Sequence, residues 1–227
     1  GTVEMEEPMD IERFASERAE VATFMKRLYQ RQLTTVSGGN ISCRLTDDLM
    51  CMTPGSLDKA NLHRDMIVVV TMDGENLTPH LPLSTEFEMH QKVLQARKDC
   101  SAVIHAHPCY ATAFTAMNMP IRTTLTPEAW LLLGKIAIVP YARMGSGQLA
   151  DGAANAMKRS DVAMLQNHGV LTVGESLLQA FDRIEVLEMT ARMTYLTETL
   201  AAAGSRWEIS ELSDKQCEEL MRKKTIL

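Results

Sequence analysis

The chain has 227 residues, of which 45% are apolar, and 29 Asp and Glu outweigh 23 Lys and Arg to give a net charge of −6. That balance excludes a nucleic-acid surface, which needs concentrated Lys and Arg, and no apolar run approaches the ~18 residues that span a bilayer. At roughly 100–200 residues per domain the length allows one large domain or two small ones, and no linker argues for two.

Residues 1–10 are acidic and unpatterned and read as a flexible tail. Asp10 can cap a first helix, because Ile11, Phe14, Val21, Phe24, Met25 and Leu28 recur at helical spacing up to about Gln32. Ser37-Gly-Gly-Asn40 then leads into the alternating strand Ile41–Leu45, with Leu49–Thr53 as its hairpin partner and Met66–Thr71 as a β-branched strand closed by the Asp73-Gly74 turn. Glu86–Arg97 reads as a helix with Ser84 or Thr85 as its cap, followed by strand Ala102–Ala106 and helix Tyr110–Met117. Strand Ile136–Tyr141, helix Ser146–Arg159, strands Val162–Gln166 and Val170–Val173, a long helix Glu175–Ala202 and a last helix Ser213–Lys223 complete the pattern. Hairpin-linked strands flanked by helices predict a single α/β domain with a mostly antiparallel sheet.

Two features carry chemistry. In Ser101-Ala-Val-Ile-His-Ala-His-Pro108 the histidines His105 and His107 lie two apart, so they share a strand face about 7 Å apart along the backbone, and Pro108 stops the ladder where a pocket can open. His168 ends a second apolar run, directly before Gly169, whose missing Cβ would permit a sharp turn. Three imidazoles with a carboxylate or water meet the ligand count of a catalytic zinc site, and Glu86 is the candidate carboxylate. Glu86 and His90, at i and i+4 on one helix face, could themselves hold metal, but the three other histidines supply enough ligands. His63 and His80 sit among polar loop residues and read as surface. Cys43, Cys51, Cys100, Cys109 and Cys217 form no Cys-x-x-Cys and fit reduced, individually buried thiols. With no export signal, they point to the cytoplasm.

With Ser37-Gly-Gly-Asn-Ile-Ser42, Ser84-Thr-Glu86, His105-Ala-His107 and Gln166-Asn-His-Gly169 in this order, the chain resembles the class II aldolase/adducin family, most closely its L-fuculose-1-phosphate aldolase branch. The resemblance implies an α/β/α sandwich over residues 11–227, a homotetramer, and Zn2+ (or another divalent metal) held by His105, His107, His168 and, in the resting site, Glu86. It also implies that Glu86 is the acid/base. The sugar-phosphate 4-epimerase branch carries Asp there, so Glu86 favours carbon–carbon cleavage of a ketose 1-phosphate through a metal-stabilised enediolate. Ser37, Gly39, Asn40, Gly55, Ser56, Ser84 and Thr85 would cradle the phosphate of a sugar-phosphate substrate, since glycine-lined loops expose backbone N–H groups and hydroxyls add donors without net charge.

The chain departs from the pattern in three places. The family's aldehyde-protonating tyrosine has no counterpart in Leu125-Thr-Pro-Glu-Ala-Trp130, the C-terminal tyrosine is missing from Met221–Leu227, and Thr-Pro-Ser-Gly appears as Thr53-Pro-Gly-Ser56. Glu128 could stand in for the first, although it also reads as a loop carboxylate, and Glu185 as a solvated helix face. A 4-epimerase, a decarboxylase or dehydratase of phosphorylated sugar acids, and a non-catalytic adducin-like assembly domain are the alternative readings.

Overall fold

The computed structural model describes residues 9–204 and 206–224, so the expected tail falls mainly outside the described residues. A 3-10 turn, Ile11–Phe14, capped by Asp10 leads into α1 (Ala15–Gln30). Next come β1 (Asn40–Arg44), β2 (Leu49–Met52), β3 (Val68–Thr71), α2 (Phe87–Ala96), β4 (Ala102–Ala106) and α3 (Cys109–Phe114). They are followed by α4 (Pro127–Leu133), β5 (Ile136–Val139), α5 (Gly147–Met157), β6 (Val162–Leu165), β7 (Gly169–Gly174), α6 (Leu177–Ala203) and α7 (Asp214–Lys224).

Seven strands form one sheet in the order β3-β2-β1-β4-β7-β6-β5. Every pairing is antiparallel except β5 with β6. The exception has a plain cause: α5 carries the chain from β5 back to the start of β6, the kind of crossover that parallel neighbours require. The expected sandwich of helices around a largely antiparallel sheet is therefore present, with one parallel edge.

Alternation along the strands separates two cores. Ile41, Cys51, Val69, Ile104 and Val170 face α1 and α6, packing with Met25, Leu28, Ile184 and Leu187. Met52, Val68, Val103, Leu171 and Val173 face α2 and α5, packing with Met89, Val93, Leu149 and Met157. Each such aliphatic side chain contributes about 1.5–3 kcal/mol on full burial.

Two expectations need correction. Cys109 is exposed, so the five thiols are free but not all buried. The stretch around Leu125–Trp130 forms α4, which the strand-and-helix reading left out. Its start is written in Thr126-Pro127-Glu128: the Thr126 hydroxyl accepts from Ala129 N–H, Pro127 occupies the first helical turn, and Glu128 is acidic in that turn.

Candidate metal centre

The pairing of β1 with β4 places Asn40 directly opposite His105. Both lie at the sheet end where β4 stops and β6 turns into β7, and His105 is fully buried. One residue beyond β4, His107 donates its backbone N–H to Leu33 O at 3.0 Å. His168 sits in the β6–β7 turn, in which Asn167, not Gly169, takes the left-handed conformation at φ 56°. Gly169 is required for a different reason than the expected sharp turn. A Cβ there would lie 2.5 Å from the His107 ring and 2.7 Å from Ala106 O, so the missing side chain lets the histidines close up. Gly38 serves likewise, since a Cβ would meet His107 Nδ1 at 2.8 Å.

The three imidazoles converge, with one nitrogen from each of His105, His107 and His168 within 4.8 Å of the others. His105 Nδ1–H donates to Val170 O at 2.9 Å, which leaves a lone pair on Nε2. That lone pair faces His107 Nε2 at 3.0 Å and Glu86 Oε2 at 3.4 Å. On the other side, His168 Nε2 and Glu86 Oε1 stand 3.3 Å apart, buried and without a hydrogen-bond partner. A lone pair turned to a carboxylate, beside two buried orphaned atoms, is unfavourable unless a cation lies between them. Three neutral nitrogens and one carboxylate are the donors of an open divalent-metal site.

The surroundings hold His107, His168 and Glu86 in the protonation states such a site needs. Desolvation pulls the His107 imidazole down to about 4, with His105 and His168 adding to the effect and Glu86 opposing it. Desolvation also lowers His168. For Glu86 burial works against the charged form, but the imidazoles of His105, His168 and His90 and the Asn40 amide outweigh it and hold the carboxyl below its ordinary range.

Behind Glu86 lies a buried relay that sequence reasoning did not assemble. Asn40 Nδ2 donates to Glu86 Oε2 at 2.8 Å, and Asn40 Oδ1 is 2.5 Å from His90 Nε2. An amide oxygen only accepts, so His90 Nε2 carries the proton, and its Nδ1 accepts from the Ser42 hydroxyl at 2.6 Å. His90 is therefore turned away from the metal site, against the alternative in which it pairs with Glu86 as a ligand. Asn40, expected among the phosphate donors, uses its amide to hold Glu86. The missed signal was positional: Asn40 and Ser42 are polar at alternate positions of a central strand, facing α2.

The expected phosphate loops meet in part. A Cβ on Gly55 would lie 2.9 Å from Leu83 O and 3.3 Å from Ser84 Cα, so the Gly55 and Ser84 loops abut. Gly39, at φ +74°, presses against His105 O. Ser84 is buried and its Oγ accepts from Glu86 N at 3.2 Å, but α2 starts at Phe87 with Glu86 itself at the cap position and no side-chain cap bond, so neither Ser84 nor Thr85 is the helix cap that was expected. Ser37, Ser56 and Thr85 are exposed and leave their hydroxyls available. Gly145, also left-handed, packs against Thr85 O and adds a segment the sequence reading did not include. Lys59, also unremarked in the sequence, is 3% exposed beside these loops. His63, His80 and Glu128 lie on the surface, and Glu185 pairs with Arg31 at 2.9 Å and is not simply solvated.

Residues 19–195 match the family model described as the class II aldolase and adducin N-terminal domain. The L-fuculose phosphate aldolase of Methanococcus maripaludis is 35% identical over 173 residues, covering 76% of this chain and 93% of that one. The 3-oxo-tetronate 4-phosphate decarboxylase of Haemophilus influenzae is 31% identical over 187 residues, covering 77% and 89%. Among solved structures, an L-fuculose 1-phosphate aldolase superposes with a TM-score of 0.82 at 30% identity, covering 92% of this chain and 95% of the other.

Proposed function

The chain belongs to the class II aldolase/adducin family, and on that premise we propose that it is a zinc-dependent aldolase that cleaves a ketose 1-phosphate of the L-fuculose type into dihydroxyacetone phosphate and an aldehyde. The observation that carries the reading is the pair of orphaned buried atoms, Glu86 Oε1 and His168 Nε2, facing the ligand nitrogens of His105 and His107. His105, His107 and His168 would hold the metal, with Glu86 as the fourth ligand at rest. A bound divalent metal supplies Lewis acidity at the ketose oxygens, which lowers the barrier to forming negative charge there.

The chain's own residues do the rest. Glu86, held ionised, is placed to take and return the proton at the carbon that becomes C3 of dihydroxyacetone phosphate. Asn40 fixes one carboxylate oxygen and leaves Oε1 free for that exchange. The hydroxyls of Ser37, Ser56 and Thr85 and the glycine-lined backbone around them receive the phosphate. The segment Leu125–Trp130 carries no tyrosine, so the proton that the C4 hydroxyl loses as the aldehyde forms must pass to another group.

Decarboxylation of a phosphorylated sugar acid is the second reading, favoured by the identity to the tetronate phosphate decarboxylase and by the lack of a tyrosine in Leu125–Trp130. Glu86, where the resemblance gives the 4-epimerases Asp, weighs against epimerisation. The retained ligands weigh against a purely structural domain. Incubating the zinc-loaded protein with a panel of ketose 1-phosphates and with 3-oxo-tetronate 4-phosphate, and detecting aldehyde, dihydroxyacetone phosphate and carbon dioxide, decides between the two. Absence of all three products with every substrate refutes both.

No helix among the described residues is long and apolar enough to cross a membrane, and with five free thiols the cytoplasm is the proposed location. We infer a homotetramer, on the family's pattern. Its physical support is an apolar cavity of about 570 Å³ beside the β5 edge, lined by Phe114, Met119, Trp130 and the exposed Ile138, with Tyr141 and Met144 also exposed in the segment that follows β5.

A further inference from the structure

Lys59 has no role in the chemistry above, yet its placement is costly. Its side chain is 3% exposed, and among the described residues no carboxylate oxygen lies within 4.0 Å of its ammonium and its one hydrogen bond is to Pro54 O, at 2.5 Å. An ammonium offers three protons, so two have no acceptor. Buried charges are normally paired, because removing an ion from water is repaid only by an opposite charge.

The surroundings show where that charge would come from. Asp58 caps the short turn that begins at Lys59, and the Lys59 backbone N–H donates to Val36 O at 3.1 Å. The residue thus ties the Ser37–Asn40 loop to the Pro54–Ser56 loop, and Gly55 in turn abuts Ser84. The ammonium lies behind the carbonyl that precedes Gly55, and it is near enough to Glu86 to feel that carboxylate's charge. The cradle expected to hold an anion by neutral donors alone therefore has a cation built into its floor.

We propose that Lys59 is the charge partner of the substrate's phosphate monoester, and so a determinant of specificity for phosphorylated over free sugars. The inference rests on the reading of the site as one for a sugar phosphate. Desolvation lowers the ammonium to about 8, so it is mostly charged at neutral pH, and a bound dianion would keep it so. A lysine that merely braced the loops would need no charge, and a methionine of similar length would fill its space.

The test is calorimetric titration of inorganic phosphate into metal-loaded wild type, Lys59→Met and Lys59→Arg at constant ionic strength. Lys59→Met is expected to bind phosphate roughly 10- to 100-fold more weakly, the factor for losing a charge-assisted hydrogen bond. Its KM for the phosphorylated substrate should rise by a similar factor with a smaller change in kcat, and Lys59→Arg should recover part of the loss. A folded Lys59→Met protein with phosphate affinity within threefold of wild type overturns the proposal. If Lys59→Met does not fold, a wild-type crystal grown with phosphate decides: an oxygen within hydrogen-bond distance of Nζ supports it, and phosphate seated clear of Nζ overturns it. The phosphate titration and the crystal need no turnover, so a failed aldolase assay leaves them standing. Wild type that binds no phosphate at all would instead remove the phosphorylated-substrate reading itself.

Discussion

At the scale of single residues, Glu86 separates ligand from acid/base. On the proposed reading the three histidines keep a metal without it, whereas proton transfer depends on the carboxylate that Asn40 holds. Glu86→Gln is expected to lower turnover by about 10²–10⁴-fold with metal content nearly intact by elemental analysis. The variant should also stop exchanging the carbon-bound proton of dihydroxyacetone phosphate with solvent. Undiminished exchange would show that Glu86 is not the base. Ser56 tests the rearranged Thr53-Pro-Gly-Ser56 segment. The left-handed position, φ 57°, belongs to Ser56, while Gly55 is the residue that lacks room for a Cβ. A non-glycine residue in that conformation costs about 1–2 kcal/mol, partly offset by the greater entropy a glycine loses on folding. Ser56→Gly should therefore raise the free energy of unfolding by up to about 1 kcal/mol, read by urea denaturation, and an unchanged or lower value would refute the strain. Gly39 is not a usable probe of phosphate binding, because any side chain there meets Thr34 and His105 O and would disturb the metal centre as well. The three histidines proposed as ligands were legible in the sequence because each stands at a strand end marked by Pro108 or Gly169. Lys59 was not, since nothing in Leu57-Asp-Lys-Ala60 distinguishes a buried lysine from a solvated one.

At the scale of elements, the site is the product of register. Had β1 slipped by one residue against β4, Asn40 and Ser42 would face α1 and Ile41 would lie under α2. The alternation of Ile41 and Cys43 was readable and gave the strand. Its hairpin partner β2 was readable too, but its other neighbour, β4, was not, because pairing partners distant in sequence leave no local trace. The parallel β5–β6 pair went unforeseen for the same reason, and α4 because its short apolar run has too few turns to show a period. The relay across these elements makes its own prediction. Ser42→Ala removes the donor to His90 Nδ1, an imidazole with no exposure, and the buried acceptor left behind should destabilise the fold by about 1–3 kcal/mol. It should also loosen Glu86 through Asn40, so kcat falls while KM for the phosphorylated substrate holds. Loss of stability with kcat unchanged would make the relay purely structural.

At the scale of the whole molecule, the proposed metal centre, built from buried imidazoles, ties folding to pH. Burial holds His90 down to about 3, with His105 and Lys59 adding to the effect and Glu86 opposing it, and it likewise holds His107 down to about 4, whereas in the unfolded chain each takes up a proton near the ordinary value of 6.5. Below that pH the unfolded state binds more protons than the metal-free folded state, so stability falls as pH drops from about 6.5 toward 3–4. Glu86, held below its ordinary 4.5, acts in the same direction, since its contribution is present above that value and lost on further acidification. In metal-free protein the urea midpoint should therefore decline steadily from pH 7 to pH 5. Added zinc, binding the folded state's deprotonated imidazoles, should raise the midpoint at pH 7 through a gain in unfolding free energy of about 2.7 kcal/mol at a hundredfold excess over its dissociation constant. Protons compete for the same nitrogens, so the gain should shrink at pH 5. Light scattering on the same samples should give four chains per particle, and a monomer at pH 7 would refute the homotetramer. A midpoint that rises on acidification, or a zinc effect equal at both pH values, would mean that the histidines are not held neutral and that the cluster is not a metal centre.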